Sequence, residues 1–273
     1  MRPGVLAILV VAAAACSLPK FHGAGDDDDG PMDGRGSGSD GGIAHPHDED
    51  GDHIDDSIDL CPVDPADTLD TDGDHVGDAC DPAPSIGGDH AVLYTFATDT
   101  GDLIASDPAT LEGDTISFGN STDIGSVQTL WLPNTWSRVR IEVAYEVGAL
   151  GPQDGTHNYN ELALHLGNNG APDDFTGLAC NLERIGLAAT THFYIEQVPG
   201  PELAGTMPDL GYPLAGSHGK LIMQDTGELS CTSARDSAGP VTFMFNTGVA
   251  DGRVGLSAFQ LRVRLKYIFV SGL

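Results

Sequence analysis

Apolar and polar residues alternate along much of the C-terminal two-thirds of the chain. In residues 138–147, "RVRIEVAYEV", Val139, Ile141 and Val143 alternate with Arg138, Arg140 and Glu142. A period of two puts one set on a buried face and the other in solvent, as in a half-buried antiparallel strand. Similar runs rich in β-branched and aromatic residues occupy 90–98, 127–132, 161–167, 191–198, 241–248 and 259–270. Gly, Asp, Asn and Pro turns separate them. No stretch of comparable length carries helical periodicity with caps. Residues 88–273 are therefore expected to be mainly β, an antiparallel, jelly-roll-like sandwich long enough to bury its own core.

The N-terminus has a different pattern. "VLAILVVAAAA" (5–15) is an eleven-residue apolar run behind Arg2, too short to span a bilayer and followed at once by polar sequence. Residues 1–16 thus read as an export signal. The closing "AAAC" (13–16) resembles the lipobox of bacterial lipoproteins, which implies lipidation of Cys16 and anchoring to the bacterial (outer) membrane or cell surface. Ala13 stands where that family usually carries Leu, so an ordinary signal-peptidase cut is the alternative. Residues 17–47 follow as a tether. Fourteen of the twenty residues 23–42 are Gly or Asp, and such a segment cannot bury a core. "DDDD" (26–29) lacks the spacing and turn that would converge its carboxylates.

Charge sharpens the division. The 273 residues carry a formal charge of -29, and 20 of the 41 acidic residues fall between Phe21 and Gly87, beside one basic residue, Arg35. Neither half offers a basic stripe, which argues against nucleic acid as a partner. The acidic half is suited to cations. "DEDGDHIDDSID" (48–59) recurs 22 residues later as "DTDGDHVGDACD" (70–81), with Asp at positions 1, 3, 5, 9 and 12, Gly at 4, His at 6 and a β-branched residue at 7, eight of twelve positions in agreement. Alternate carboxylates at positions 1, 3 and 5 can curl around one hard ion, with a carbonyl at 7 and a carboxylate at 12 closing an all-oxygen shell. Ca2+ prefers that donor set and tolerates that flexibility. The first loop would offer Asp48, Asp50, Asp52, the carbonyl of Ile54, and Asp59. The second would offer Asp70, Asp72, Asp74, the carbonyl of Val76, and Asp81. No helix-forming sequence flanks either loop, as an EF-hand would require, and position 12 is Asp where an EF-hand has Glu. His53, His75 and "HPH" (45–47) could serve softer metals, but the carboxylate-rich setting suits a hard one.

These loops resemble thrombospondin type 3 repeats, over residues 48–82. The resemblance implies calcium-wrapped loops with little secondary structure, stapled by disulfides. The family usually has Gly at position 6, where this chain has His53 and His75; His adopts a positive φ less readily than Gly. Of five cysteines, giving Cys16 to lipid leaves four. In an oxidising compartment the natural local pairings are Cys61–Cys80 and Cys180–Cys231, the alternatives being pairings that cross between segments.

The sandwich sequence carries no G-x-S-x-G, H-E-x-x-H or phosphate loop. Glu142, Glu146 and Glu161 are free to supply a glycosidase pair, though nothing in the sequence singles them out. Asp173 and Asp174 read as part of a turn, and His157, His165 and His192 as turn and strand-face residues. Arg262, Arg264 and Lys266 read as a solvated strand face. Trp131 and Trp136 could stack on a sugar, with core packing the plainer account. The chain is thus expected to be a cell-surface calcium-binding lipoprotein whose calcium-stiffened repeat is a spacer presenting a β-sandwich, for adhesion or for recognition of glycan or protein. The alternative is an exported hydrolase of polysaccharide with a lectin-like fold.

Overall fold

The computed structural model describes residues 47–65, 69–96, 102–169, 175–186, 190–206, 215–235 and 238–273. The signal segment with Cys16, the tether up to residue 46, and Asp173 and Asp174 lie outside them. Among the described residues every regular element is a strand. In chain order these are β1 (His90–Thr95), β2 (Ile104–Ala105), β3 (Thr110–Glu112), β4 (Thr115–Phe118), β5 (Val127–Trp136), β6 (Arg140–Leu150), β7 (Tyr159–Asn168) and β8 (Gly177–Ile185). They continue as β9 (Thr190–Val198), β10 (Glu202–Thr206), β11 (His218–Asp225), β12 (Leu229–Arg235), β13 (Ala238–Phe245), β14 (Gly252–Phe259) and β15 (Leu261–Gly272).

The strands form two antiparallel sheets. One runs β13-β12-β11-β6-β15-β4-β3, with β1 also pairing β15; the other runs β10-β9-β8-β7-β14-β5-β2. The alternation seen in the sequence sorts side chains between faces. Ile141, Val143 and Val147 on β6 share one buried core with Leu162, Leu164 and Leu166 on β7. Trp136 joins that core and stacks on His90 at 4.5 Å between ring centroids. Cys180 on β8 is joined to Cys231 on β12, so this disulfide ties one sheet to the other.

The run 259–270 divides into two strands. Gln260 adopts φ 48° between β14 and β15, which lie in different sheets. Its buried side chain accepts from the Gly125 amide (2.8 Å) and donates to the carbonyls of Tyr159 (2.9 Å) and His157 (3.3 Å). Further along, a bulge between Leu265 and Tyr267 shifts the register against β6. A one-residue shift exchanges faces. Ile268 and Val270 therefore enter the core, while Tyr267 and Phe269 point outward.

Those two rings are the seat of the acidic repeat. Cys61, Val63, Val76 and Cys80 form a second apolar cluster with Ala144, Tyr267 and Phe269 on the outer face of the eight-stranded sheet. Cys61 and Cys80 are joined, with Cα atoms 5.8 Å apart. Lys220 donates to the Val63 carbonyl (3.0 Å) and Arg140 to the Ala79 carbonyl (2.6 Å), and the Ser271 hydroxyl donates to the Cys80 carbonyl. Beneath them, buried Glu142 accepts from Arg140 (2.6 Å) and from the Tyr267 hydroxyl (2.7 Å), and pairs with Lys220 (2.9 Å). Burial alone would raise the Glu142 pKa, but the two cations hold it below its ordinary value. The repeat lies on the sandwich, so a docked segment replaces the expected stand-off spacer. The spacer expectation rested on calcium stiffening of the repeat, and missed that the two loops carry apolar residues (Cys61, Val63, Val76, Cys80) with an outward aromatic pair to cover.

Candidate metal centre

Both acidic loops are built the same way. Asp48 accepts from the amides of Gly51 (2.9 Å), Asp52 (3.1 Å) and His53 (3.1 Å). Asp70 accepts from Gly73 (2.7 Å) and His75 (3.0 Å). Asp side chains readily satisfy backbone amides a few residues on, and here they close each loop. At position 4 of the loops Gly51 and Gly73 sit at φ 81°. His53 and His75 follow at φ 76° and 77°, a left-handed conformation that Gly adopts more readily than His. The Glu49 amide donates to Asp56 at 3.2 Å, as the Thr71 amide does to Asp78 at 2.8 Å, so the 22-residue period is structural.

This framework converges carboxylates. Asp48, Asp50 and Asp52 bring one oxygen each within 4.8 Å of one another, as do Asp70, Asp72 and Asp74. A further group joins Asp74, Asp81 and Asp89 by the same measure, and another joins His47, Glu49 and Asp56. Several of these oxygens are shut off from solvent with no donor: Oδ2 of Asp50, both oxygens of Asp72, Oδ2 of Asp81 and both of Asp89. Leaving ionised oxygens desolvated and unpartnered costs several kcal/mol, roughly, unless a cation supplies the missing interaction. Burial and the neighbouring Asp52, Asp59 and Asp48 charges push the Asp50 pKa up to about 6, against amide donation from Asp52. Asp70 sits below its ordinary value, since the amides of Gly73, His75 and Asp74 outweigh its burial.

The donor set is all oxygen at the two loops, which fits a hard divalent ion. Asp59 belongs to neither three-carboxylate group; its Oδ1 caps the Cys61 amide at 2.9 Å, and its charge reaches Asp50. The Ile54 and Val76 amides donate to Asp52 (2.7 Å) and Asp74 (3.1 Å), which holds these position-7 residues against their loops. Asp81 is drawn toward Asp74 and Asp89, with its charge also reaching Asp72. His53 is mostly exposed and 3.8 Å from Asp48, outside the carboxylate focus. Asp89, Glu49 and Asp56 were missed as candidate ligands. Asp56 occupies a repeated position and was legible there, but Asp89 follows the last copy and no periodicity marks it.

A second polar surface lies on the outer face of the seven-stranded sheet. Glu161 stands opposite Glu183 across β7 and β8, and Glu183 opposite His192 across β8 and β9. The Tyr194 hydroxyl donates to Glu161 (3.0 Å); His192 bridges Glu183 (3.1 Å) and Glu202 (3.4 Å). Burial, with the Glu183 and Glu196 charges, pushes the Glu161 pKa up to about 8. Tyr159 stacks on Phe259 at 4.4 Å, and His192 on Tyr194 at 4.3 Å. His165 touches Ser257 (2.8 Å) beside Trp131 and Phe175; burial pushes its pKa down to about 3. His165 is therefore a neutral packing residue at physiological pH. The strand-face cations pair on the other sheet, Arg262 with Glu112 (2.9 Å) and Arg264 with Glu146 (2.7 Å).

No protein-family model and no curated protein matches the chain. Solved structures do match the arrangement of its sheets. The Lotus tetragonolobus seed lectin superposes with a TM-score of 0.52 at 12% identity, over 67% of this chain and 99% of that one. The sandwich is lectin-like in fold. The winged bean acidic lectin, solved with methyl-alpha-D-galactose, gives 0.51 at 10% identity over 68% and 99% of the two chains. The peanut lectin, solved with a 9mer peptide, gives 0.50 at 12% identity over 67% and 97%.

Proposed function

We propose that this is an exported, lipid-anchored bacterial surface protein in which a calcium-binding repeat of the thrombospondin type 3 kind braces a lectin-like sandwich that recognises carbohydrate. One observation carries the calcium reading: two copies of one loop each gather three aspartates on a common focus, with inward oxygens that have neither solvent nor donor. Calcium supplies the countercharge; Asp48 and Asp70, fixed by loop amides, set the geometry into which the other carboxylates turn. Calorimetric titration of the full chain with millimolar calcium is expected to give heat, and chelator to increase cleavage within residues 47–89. Absence of both sinks the reading.

For the sandwich, the support is its fold and the stacked aromatics beside carboxylates on the seven-stranded sheet. Polar side chains around a ring face are suited to hydroxylated rings. The winged bean acidic lectin of like fold was solved with a galactoside. Screening the calcium-loaded protein against a polysaccharide panel should show retention that weakens on Tyr194→Ala. A second reading, hydrolysis of polysaccharide, is favoured by Glu161 and Glu183 facing each other across β7 and β8, where burial raises both carboxyls and takes Glu161 to about 8, suiting it to the general-acid role. Turnover of chromogenic glycosides that disappears in both Glu161→Gln and Glu183→Gln would select it over simple binding.

A further inference from the structure

We propose that Asp74, Asp81 and Asp89 form a separate cation centre that latches the second acidic loop to the first strand of the sandwich. Asp89 belongs to neither repeat copy; it immediately precedes β1, which pairs with β15. Asp81 is the last residue of the second copy, and Asp74 its central acid. One oxygen from each lies within 4.8 Å of the others.

Two of the three ligands are sealed. Asp81 is 3% and Asp89 4% exposed. Asp81 spends one oxygen on the Ala83 amide, and its Oδ2 meets no donor. Both Asp89 oxygens are enclosed and meet no donor. Asp74 is already oriented, since its Oδ2 accepts from the amides of Gly88 (3.0 Å) and Asp89 (2.8 Å). These bonds fold residues 82–88 back, so that the carboxylates of Asp81 and Asp89 face each other. The carboxyls of Asp81 and Asp89 are in hydrogen-bonding reach of each other; as like charges away from solvent they repel, and a cation held between them relieves that repulsion. All donors are carboxylate oxygens, the hard set that selects Ca2+. A cleft of about 280 Å³ lined by Asp56, Asp59, Asp74 and Asp89 opens beside the centre and leaves room for water ligands and an entry path. Asp74 also belongs to the Asp70–Asp72–Asp74 group, so one carboxylate links the loop's own centre to the latch.

The latch couples metal occupancy to the attachment of the loop. It rests on the calcium reading above, yet makes an independent claim, because that reading needs no ligand outside the repeats. The test compares the full-length protein with Asp89→Asn, a variant of the same shape, by counting bound calcium per chain in equilibrium dialysis. Thermal unfolding is followed in calcium and in chelator, with proteolysis of residues 82–88. The variant is expected to bind one ion fewer and to unfold at a lower temperature than wild type in calcium. In chelator the order reverses or closes, since one repelling charge has gone; a purely structural asparagine defect would lower both. Residues 82–88 become cleavable in the variant despite calcium. Unchanged stoichiometry and protection in Asp89→Asn overturn the latch and leave the repeat's calcium binding standing, with a shared proton between Asp81 and Asp89 as the remaining account. Failure of wild type to bind calcium overturns both. Should Asp89→Asn not fold, Asp81→Asn is measured in the same way, and a loss confined to one ion supports the centre while an unchanged count overturns it.

Discussion

At the scale of single residues, position and partner decide what each polar side chain does. Gln260 looks unremarkable in a run of alternating residues, but it turns the chain from one sheet to the other at φ 48°. Its amide satisfies one N–H and two carbonyls from two separate segments. Gln260→Leu keeps the volume and strands those groups, at about 3 kcal/mol in total; urea unfolding should show that loss with an unchanged slope. Glu161 behaves differently. Tyr194 donates to it from β9, the Glu183 and Glu196 charges repel it, and burial raises it most of all, so its folded pKa of about 8 stands above the ordinary 4.5. A folded acid that holds its proton where the unfolded one releases it makes stability fall as pH rises, here from about 4.5 to about 8. The sign is opposite to that of a salt-bridged carboxylate. Glu161→Gln should flatten this part of the stability–pH curve, measured as melting temperature across that window.

At the scale of elements, strands were legible where apolar residues alternate with charge. β6, β7 and β9 lie where the pattern put them, whereas β8, β11 and β12 escaped it. β12, "LSCTSAR", does alternate, with Leu229, Cys231 and Ser233 inward, but small polar residues hide the period. β8 is buried over six successive residues, so its two faces read alike. The acidic loops were legible because Asp, Gly and His recur at fixed spacing, and the structure turns the same spacing into convergent oxygens. Asp89 was not, since its role arises from the fold-back of residues 82–88, which no local period encodes. The missed strands are also where the sheets are fastened, because the Cys180–Cys231 disulfide runs from β8 to β12. Its residues are 51 apart in sequence, and closing a loop of that length is worth about 4 kcal/mol. Cys180→Ala with Cys231→Ala should lower the unfolding free energy by roughly 2–5 kcal/mol without altering calcium binding, which separates the sandwich's staple from the repeat's chemistry.

At the scale of the whole molecule, the question is what calcium removal does when the acidic segment is docked. A free-standing calcium-wrapped rod would swell along its full length once its charges were unscreened. Here the two loops are tied by Cys61–Cys80, and their apolar ends are pressed onto Tyr267 and Phe269. Lys220, Arg140 and Ser271 hold three backbone carbonyls of the same segment. None of these contacts uses a metal. Chelation should therefore leave the hydrodynamic radius of the folded region nearly unchanged while freeing the loop crests. Hydrogen exchange makes the distinction residue by residue. The amides of Gly51, His53, Gly73 and His75 donate to Asp48 and Asp70 at the exposed loop crests, where loss of the ion leaves the gathered carboxylates repelling one another, so they should lose protection first. The Gly77 and Cys80 amides, bonded to the Leu60 and Gly77 carbonyls in the disulfide-tied core, should keep most of theirs. Uniform loss across residues 47–89 would mean that docking itself depends on calcium. Tyr267→Ala supplies the converse, because it removes the ring under the repeat at about 3–5 kcal/mol and takes the Glu142 hydrogen bond with it. In that variant calcium should still bind, more weakly, and chelator should now expand the chain as a free segment would.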